Sequence, residues 1–288
     1  MYTCGKVNEK ERNQMYEIFT DMSADIAAEA AGAYDIKFVQ MDVTVGDETF
    51  TAKEPAGLEE MHSYYDKLRN GVTTGTSQIT PFNYTEAFEP YVKEGKGILY
   101  IALSGGLSKT FESASLAVTE LKEKYGDKAQ IEVIDSLGGT GGMGILCEAA
   151  GINRKNGMSL SENAAWLRAH AGDINYWFKV EDLMYLKRGG RISGAAAVIG
   201  TALSIKPILT IRADGRLDTI GKKRGSRLAI KYLTDCYRDS AFFGENRADK
   251  SYQDGTEELT YICCADCIPD AELLKQMVLD INPDAKIR

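Results

Sequence analysis

The chain has 288 residues, of which 44% are hydrophobic and 26% are charged. These values are ordinary for a soluble globular protein, and the length leaves room for two domains. The formal net charge of −8 excludes a broad nucleic-acid or anionic-membrane surface, because the long-range field of the protein repels both. We therefore expect any anionic ligand to need a local site.

The six cysteines predict reduced thiols rather than disulfides. They are scattered through a large domain and no secretory segment precedes them, so we expect a cytoplasmic protein. The longest nearly apolar run, residues 194–205, is too short to cross a bilayer, so stable membrane insertion is not expected. The cysteines are Cys4, Cys147, Cys236, Cys263, Cys264 and Cys267.

The first half of the chain repeats a unit of strand, small turn and helix. Three repeats predict a parallel sheet whose strands end at one edge, where ligands bind. Thr20, Ser104 and Ser136 would share that edge. After a lead-in at 1–14, the predicted elements are a strand at 16–19, a helix at 24–34, one strand over 36–45 that Gly46 and Asp47 turn back into 49–51, a helix at 58–68, a helix from Pro81 that Pro90 kinks or ends, a strand at 98–103 with a helix capped by Ser108, and a strand at 131–134 with a helix at 145–150.

Two turns in this half carry groups that suit an anion. A hydroxyl-rich loop contains Thr76 and Ser77, just before a predicted helix. The buried strand that follows this helix ends at Ser104 and Gly105, where free N–H groups and a helix N-terminus point at one spot. Helix capping and an ordinary connection also account for such turns, so the residues alone leave both interpretations open.

After residue 156 the pattern changes, so we place a domain boundary there, between residues 15–156 and 157–288. The second half predicts a mixed sheet with helices. Ala213, Asp214 and Gly215 between two strands are typical of a hairpin. The predicted elements are a helix capped by Ser159, a strand at 175–180, a helix at 181–188, an apolar helix at 195–205, strands at 207–211 and 216–220, a helix at 226–237, a strand at 259–263 and a helix at 269–280.

A glycine run at 138–144 contains the pattern G-x-G-x-x-G of dinucleotide sites and follows a strand. That fingerprint also needs an acidic residue at the end of the next strand, about 20 residues on. Residues 158–162 predict a helix start there instead. A nucleotide or another phosphate-bearing small molecule is therefore the alternative ligand of this sequence.

Cys264 and Cys267 form a C-x-x-C pair, as in a redox dithiol or half of a zinc site. A second ligand pair is missing and the two histidines, His62 and His170, lie in other segments. We therefore expect neither a metal site nor catalytic residues. Arg191 follows two glycines and is placed to pair with a carboxylate, while an ion-paired surface arginine is the other interpretation.

Eight short segments carry a further signal through their order and spacing. They lie at residues 20–25, 76–78, 103–108, 135–136, 186–192 and 206–209, with 214–215 ahead of 223–225. Each segment is weak alone, but the ordered set is specific. It resembles the DegV family of fatty-acid-binding proteins over about residues 15–280. That family includes the binding subunits of bacterial fatty acid kinase.

The resemblance implies a two-domain α/β fold, with an N-terminal three-layer domain around a parallel sheet and a C-terminal domain around a mixed sheet. It implies one bound long-chain fatty acid, its tail in an apolar tunnel, and no cofactor. Carried over by position, Thr76, Ser77, Ser104 and Gly105 would hold the carboxylate, with Arg191 close by. Hydroxyl, N–H and guanidinium groups satisfy an anion, and the tail gains roughly 0.8 kcal/mol per buried CH₂.

Two departures from the family pattern concern the anion site. Family members usually carry two serines where this chain has Ser104 and Gly105, which removes one hydroxyl. Their chains also continue into a strand and a Gly/His-containing segment whose histidine approaches the carboxylate, whereas this sequence stops at Arg288. Truncation, a site completed by other groups, and weakened binding all stay open as explanations.

Together these observations favour a non-catalytic lipid-binding protein that presents an acyl carboxylate to a separate kinase subunit for phosphorylation. The rival hypothesis is an enzyme or binding protein for a phosphate-bearing ligand at the glycine run. A third hypothesis is an interaction module, in which the basic cluster at 222–227 docks an acidic partner in a salt-sensitive way.

Overall fold

The computed structural model describes residues 16–192, 204–240 and 259–288. The predicted lead-in at 1–14 and most of the apolar helix predicted at 195–205 lie outside these ranges. The strands are β1 (Tyr16–Asp21), β2 (Ile36–Val39), β3 (Met41–Val45), β4 (Glu48–Ala52), β5 (Thr74–Thr76), β6 (Gly97–Ala102), β7 (Ile131–Asp135), β8 (Phe178–Lys179), β9 (Ile205–Ile211), β10 (Leu217–Arg224), β11 (Leu259–Thr260) and β12 (Lys286–Ile287). The helices are α1 (Ala28–Ala33), α2 (Leu58–Arg69), α3 (Pro81–Lys93), α4 (Thr110–Tyr125), α5 (Thr140–Lys155), α6 (Leu160–His170), α7 (Met184–Arg188), α8 (Ser226–Ser240) and α9 (Ile268–Ile281).

A four-stranded sheet in the order β2-β1-β6-β7 forms the centre of the first half, and all of its pairs are parallel. Ile18 of β1 lies beside Ile36 on one side and Leu99 on the other. Parallel strands run in one direction, so β1, β6 and β7 all deliver the segments that follow them to the same edge. The predicted parallel sheet is confirmed.

Helices cover both faces of this sheet and create two cores, which makes the three layers that were predicted. In β6, Ile98 and Tyr100 pack under α3 and α4, while Leu99 and Ile101 pack under α5 and α6. All four side chains are fully buried. A strand buried on both faces has no reason to alternate polar and apolar residues, which is why it reads as a continuous apolar run.

A second, antiparallel sheet in the order β4-β3-β5 stands beside the parallel one. The predicted turn at Gly46 is confirmed, with the glycine at a φ of +61°. The prediction of one strand over 36–45 was wrong, because β2 extends the parallel sheet whereas β3 belongs to the second sheet. The alternation of residue types continues from β2 into β3, so the sequence does not reveal that the two strands are separate.

The second half contains a three-stranded antiparallel sheet, β10-β9-β8, and a separate parallel pair, β11-β12. The predicted hairpin is confirmed, with Leu217 opposite Ile211 and Gly215 at a φ of +73° in the turn. Helix α8 packs on this sheet through Ala229 and Leu233. Among the helices of the described ranges, none combines the length and the apolar character that crossing a bilayer requires.

The predicted domain boundary at residue 156 falls at the end of α5, where Asn156 caps the helix and Gly157 turns the chain with a φ of +88°. Helix α6 follows this turn and packs back into the core of the parallel sheet through Leu160 and Leu167. The division into domains stays a prediction, and α6 makes its core contacts with the first half.

Two predicted helix starts differ from the structure because tertiary contacts hold the preceding residues. The helix predicted from residue 24 begins at Ala28, since Ala24 forms a bridge with Thr140 and its N–H donates to Asp21 O at 3.1 Å. Ser108 was predicted to cap the helix that begins at Thr110, but the capping position is Lys109. The Ser108 hydroxyl instead contacts the N–H and hydroxyl groups of Thr110.

Several predicted elements are shorter or longer than expected. The strand predicted at 175–180 is confined to Phe178–Lys179, because Tyr176 O accepts a hydrogen bond from the Thr210 hydroxyl at 2.7 Å instead of from a strand partner. The helix predicted from 181 begins at Met184, whose N–H donates to the Asp182 carboxylate at 2.8 Å. The strand predicted at 259–263 covers Leu259–Thr260 only. Pro90 does not end α3. The helix continues to Lys93, and Tyr84, Phe88 and Val92 form its buried face.

Candidate functional site

A cleft of about 2920 Å³, here called the central cleft, opens between the two halves of the chain. Its walls are the carboxyl edge of the parallel sheet, helix α2 with the small sheet, and residues 174–186 with helices α8 and α9. Apolar side chains such as Met61, Leu103 and Leu233 dominate the lining. Small-molecule pockets measure about 300–1,000 Å³, so the cleft has room for a long, flexible apolar ligand.

Thr76 lies on the wall of the central cleft, and Ser77 does not. Strand β5 pairs with β3 so that Thr76 stands opposite Val43, and the threonine is exposed. The next residue, Ser77, turns away and its N–H donates to Asp42 O at 3.0 Å. The hydroxyl-rich loop predicted from the sequence is therefore a short edge strand, which presents one of the two predicted residues to the cleft.

Ser104 is fully buried beneath the cleft rather than on its wall. Its hydroxyl donates to Gly215 O at 2.9 Å and accepts from the N–H of Gly106 at 3.1 Å. The N–H of Gly105 lies 3.2 Å and 3.3 Å from the two carboxylate oxygens of Asp135. In this arrangement the turn after β6 joins the parallel sheet to the β9-β10 hairpin.

Arg191 is exposed and lines the central cleft. Its Nε donates to Leu107 O at 3.2 Å and its Nη1 donates to Gly189 O. These bonds anchor the guanidinium at the end of the loop that begins with Ser104, and Leu107 also lines the cleft. The structure thus brings Thr76 and Arg191 to the cleft, while Ser77, Ser104 and Gly105 lie outside its lining.

The glycine run at 138–144 is mostly the first turns of α5, not the turn that was predicted, since the helix begins at Thr140. A Cβ atom at Gly138 or Gly142 would overlap the ring and hydroxyl of Tyr176. The hydroxyl is buried and has no hydrogen-bond partner in the described part of the chain, and burial raises its pKa. Because these glycines have no side chains, the Tyr176 ring can pack against their backbone. This packing explains the glycine-rich pattern without a nucleotide site.

Sequence reasoning missed polar and aromatic residues that line the cleft. Asp25 and Tyr65 line it from separate elements, and desolvation raises the pKa of both side chains, that of Tyr65 to about 12. Both tryptophans of the sequence, Trp166 and Trp177, also lie on the wall. Two signals were available for Asp25, its place at the end of the motif segment 20–25 and its position shortly after β1, because segments that follow parallel strands gather at the ligand edge.

An ion cluster at the rim of the cleft joins α2 to the loop before α9. Asp266 accepts from Arg69 at 2.5 Å and lies 3.0 Å from Nδ1 of His62. Asp66 pairs with the same two residues, at 3.4 Å from His62 and 2.8 Å from Arg69. Although the histidine and the two aspartates bring possible metal-ligating atoms within 4.8 Å of one another, the guanidinium already binds both carboxylates, so we assign no ion here.

His62 and Asp266 shift each other's titration in opposite directions. The hydrogen bond to Asp266 is the main cause that raises the pKa of His62, and the same bond lowers the pKa of Asp266. The stabilisation that His62 gains is fully present below its unfolded-state pKa and is lost as the pH rises through its raised pKa. The contribution of Asp266 is present above its unfolded-state pKa and is lost as the pH falls through its lowered one.

We expect the variant Asp266→Asn to lower the titration midpoint of His62, measured by NMR of the imidazole protons. Asparagine tolerates the left-handed backbone of this residue, whose φ is +55°, so the loop should keep its path. His170, the other histidine, pairs with Asp173 far from this cluster, so its imidazole signals provide the internal reference in the same spectra. A His62 midpoint that does not move would contradict the contact.

A comparison with protein-family models matches residues 15–285 to the DegV family, described as uncharacterised proteins. Among curated proteins, a DegV domain-containing protein of Clostridium perfringens is 35% identical over 268 residues. The matched region covers 93% of this chain and 88% of that relative. The likeness therefore extends over both halves of the chain.

Solved structures also resemble this chain along most of its length. A DegV family protein of Ruminococcus gnavus, refined with vaccenic acid, has a TM-score of 0.79 and 23% identity, covering 94% of this chain and 91% of its own. The Fak B3 protein of the Streptococcus pneumoniae fatty acid kinase, loaded with linoleic acid, has a TM-score of 0.78 and 21% identity, covering 95% and 91%. At these identities the likeness establishes the fold.

Proposed function

This chain belongs to the DegV family, and from that premise we propose that it binds one long-chain fatty acid in the central cleft. The observation that carries the proposal is a cleft of about 2920 Å³ with mainly apolar walls and a guanidinium on its lining. A fatty acid has the matching chemistry, with a long apolar tail and one anionic end. The fatty acids bound by the similar solved proteins support the same ligand class.

We propose that the carboxylate binds at Arg191 and Thr76. An anion needs donors, and the guanidinium together with a threonine hydroxyl offers charge-assisted hydrogen bonds of the strong kind. The protein carries a net charge of −8, so a local cation is needed to attract a carboxylate into the cleft. Both residues line the cleft, so both are available to a ligand bound there.

Ser77, Ser104 and Gly105 stay in the proposal as residues of the loops that border the anion. The Ser104 hydroxyl reaches a carboxylate only if it releases Gly215 O, and the Gly105 N–H only if it releases Asp135. Each exchange takes a donor away from an acceptor that already uses it, which costs about 1–3 kcal/mol where that acceptor stays buried without a partner. We therefore give these residues a secondary role beside Thr76 and Arg191.

The tail would lie along the apolar walls, where each CH₂ removed from water contributes roughly 0.8 kcal/mol. Side chains from both halves contribute, among them Leu107, Ile145 and Leu274. Because this gain scales with chain length, we expect long acyl chains to bind more tightly than short ones. The fit to one chain length depends on the shape of the cleft.

We further propose that this is a lipid-binding protein rather than an enzyme, acting in the cytoplasm and presenting its acyl carboxylate to a separate kinase subunit. The likeness to a protein of the Streptococcus pneumoniae fatty acid kinase supports this role. Phosphorylation by a partner needs only that the carboxylate end of the bound acid be reachable. Exposed Thr76 and Arg191 offer such an end.

The two tryptophans give a direct test, since Trp166 and Trp177 both line the cleft. Titration of the delipidated protein with oleate should change the tryptophan emission in a saturable way, and dibromostearate should quench it. ATP is the control for the phosphate-bearing alternative and should leave the emission unchanged. A saturable response to ATP, with none to either fatty acid, would contradict the proposal.

A further inference from the structure

Residues 41–76, here called the flap, form one wall of the central cleft without a core of their own. The flap contains β3, β4, α2 and β5, and none of its residues is buried within the part of the chain that the structure describes. Only its first residue, Met41, packs at the edge of the core of the parallel sheet. Since packing supplies most of the stability of a helix, α2 should open more readily than its neighbours.

The face of α2 that is turned towards its own sheet is incompletely packed. A pocket of about 410 Å³ lies between the helix and the strands, lined by Val45 and Phe50 on one side and by Ser63 and Tyr64 on the other. The Tyr64 hydroxyl bonds the Thr74 hydroxyl at 2.9 Å across the flap. The helix is therefore tied to its sheet by the chain and by a polar contact rather than by packed side chains.

The other face of α2 is apolar and lines the central cleft. Leu58, Met61, Tyr65 and Leu68 follow one another at intervals of three or four residues, the spacing that places side chains on one helix face. The Leu58 side chain is 83% exposed although it belongs to this face. An amphipathic helix gains stability by burying such a face, so α2 gains stability from any apolar surface laid against it.

Polar contacts at the rim of the cleft connect α2 to the second half of the chain. Arg69 donates to the Asp266 carboxylate at 2.5 Å and to Asp266 O at 3.0 Å. Nδ1 of His62 lies 3.0 Å from the same carboxylate. The Arg69 and His62 side chains are 49% and 63% exposed, and exposed ion pairs contribute little. These rim contacts therefore orient α2 while leaving it free to open.

The proposed ligand supplies the apolar surface that α2 needs. Thr76, which we propose as a carboxylate ligand, is the last residue of the flap, while Arg191 belongs to the second half of the chain. A fatty acid bound by both residues connects the flap to that half. Its tail enters the cleft that the apolar face of α2 lines, and contact between them removes both surfaces from water.

We infer that the flap is a ligand-dependent lid, in which the acyl tail packs on the apolar face of α2 and the rim contacts of Arg69 and Asp266 keep the helix over the cleft. The inference rests on the proposed fatty-acid function and assigns the element that covers the tail. The flap then sets how fast the fatty acid leaves, because the tail is released only when α2 moves away.

Hydrogen exchange, followed by mass spectrometry on the full-length protein, tests the lid directly. In the delipidated protein, the amides of α2 should exchange at least about tenfold faster than those of α3, whose buried face is complete. Saturating oleate should slow the exchange of α2 by about tenfold and leave α3 unchanged. Unchanged exchange of α2 in protein that has bound oleate would overturn the inference.

Truncation of Leu58 tests the contact between α2 and the tail. The side chain is already exposed, so Leu58→Ala should leave the urea midpoint of the delipidated protein unchanged, yet weaken oleate binding about fivefold. Leu116→Ala is the matched control, since this leucine of α4 is also exposed and is not part of the cleft lining. Equal Kd values for the two variants would contradict a tail that packs on α2.

Two further variants test the rim contacts and separate them from the general field of the protein. Arg69→Gln and Asp266→Asn change the net charge in opposite directions, but both should speed the dissociation of a fluorescent fatty acid by about two- to fivefold. Lys93→Gln is the control, since it breaks an exposed pair with Glu89 at 2.8 Å on α3, and the rate should not change. Opposite effects of the first two variants, or no effect, would overturn the inference. If the wild-type protein binds no oleate, the proposed function itself fails, so the two failures are distinguishable.

Discussion

Replacing Arg191 by glutamate weakens the binding of oleate by about 100-fold, measured by displacement of a fluorescent fatty acid. Arg191 is the cation that we assign to the ligand carboxylate, and hydrogen bonds to charged groups contribute about 1.5–3 kcal/mol. The substitution removes that contribution and adds repulsion between two anions. The exposed position of Arg191 on the cleft wall means that the fold should tolerate the change.

Arg188→Glu is the control for this experiment, because it makes the same change of charge three residues away. Arg188 lies over the Tyr185 ring at 5.9 Å and is not part of the cleft lining. Its effect on the Kd should stay within about twofold, as expected for an exposed charge outside the site. Equal losses in the two variants would show that the arginine acts only through the general field of the protein.

Gly142→Ala lowers the free energy of unfolding by about 1–3 kcal/mol, measured by urea denaturation. The added Cβ atom would overlap the hydroxyl and ring of Tyr176, which is packed directly against the first turn of α5. An aromatic ring is rigid, so it cannot relieve the overlap by bending as a flexible side chain can. Either the whole ring or the helix must therefore shift. Since Tyr176 also lines the cleft, the displaced ring should weaken ligand binding as well.

Gly172→Ala is the matched control, since a Cβ atom there meets open space and the residue lies on the same cleft. Its effect should stay within about 0.5 kcal/mol. In the double variant Gly142→Ala with Tyr176→Ala, the overlap is gone, so the loss should be clearly smaller than the sum of the single losses. Additive losses would contradict the direct contact between these residues.

The parallel sheet could be predicted from the sequence because its strands are buried on both faces. The segment around Leu99 is apolar without interruption, and such a run fits a strand between two helix layers better than any surface element. Capping residues also predicted where several helices begin. Thr80 caps α3 with Pro81 in its first turn, and Ser159 caps α6 with Glu162, as the spacing predicts.

Other boundaries depend on contacts between residues far apart in sequence, which no local pattern contains. The glycines of α5 predict a loop by propensity, yet they are helical because Tyr176 and Tyr261 pack against their backbone. Ala24 is a good helix former, but it pairs with Thr140 across more than a hundred residues. In both places the packing of the whole chain overrides the preference of the segment.

The site could be predicted only in part for the same reason. Thr76 and Arg191 reach the cleft from separate halves, and the ordered motifs pointed to both. The same motifs pointed equally to Ser104, whose hydroxyl the structure directs to Gly215 O. Asp25 and Tyr65 both line the cleft from separate segments of the chain, and no local pattern in the sequence relates them.

Native mass spectrometry of the full-length chain, purified from bacterial cells without denaturation, tests the central claim most directly. We expect a species heavier than the polypeptide by the mass of one long-chain fatty acid, which organic extraction removes and added oleate restores. A protein that carries the polypeptide mass alone, and that takes up neither oleate nor palmitate, would contradict the account.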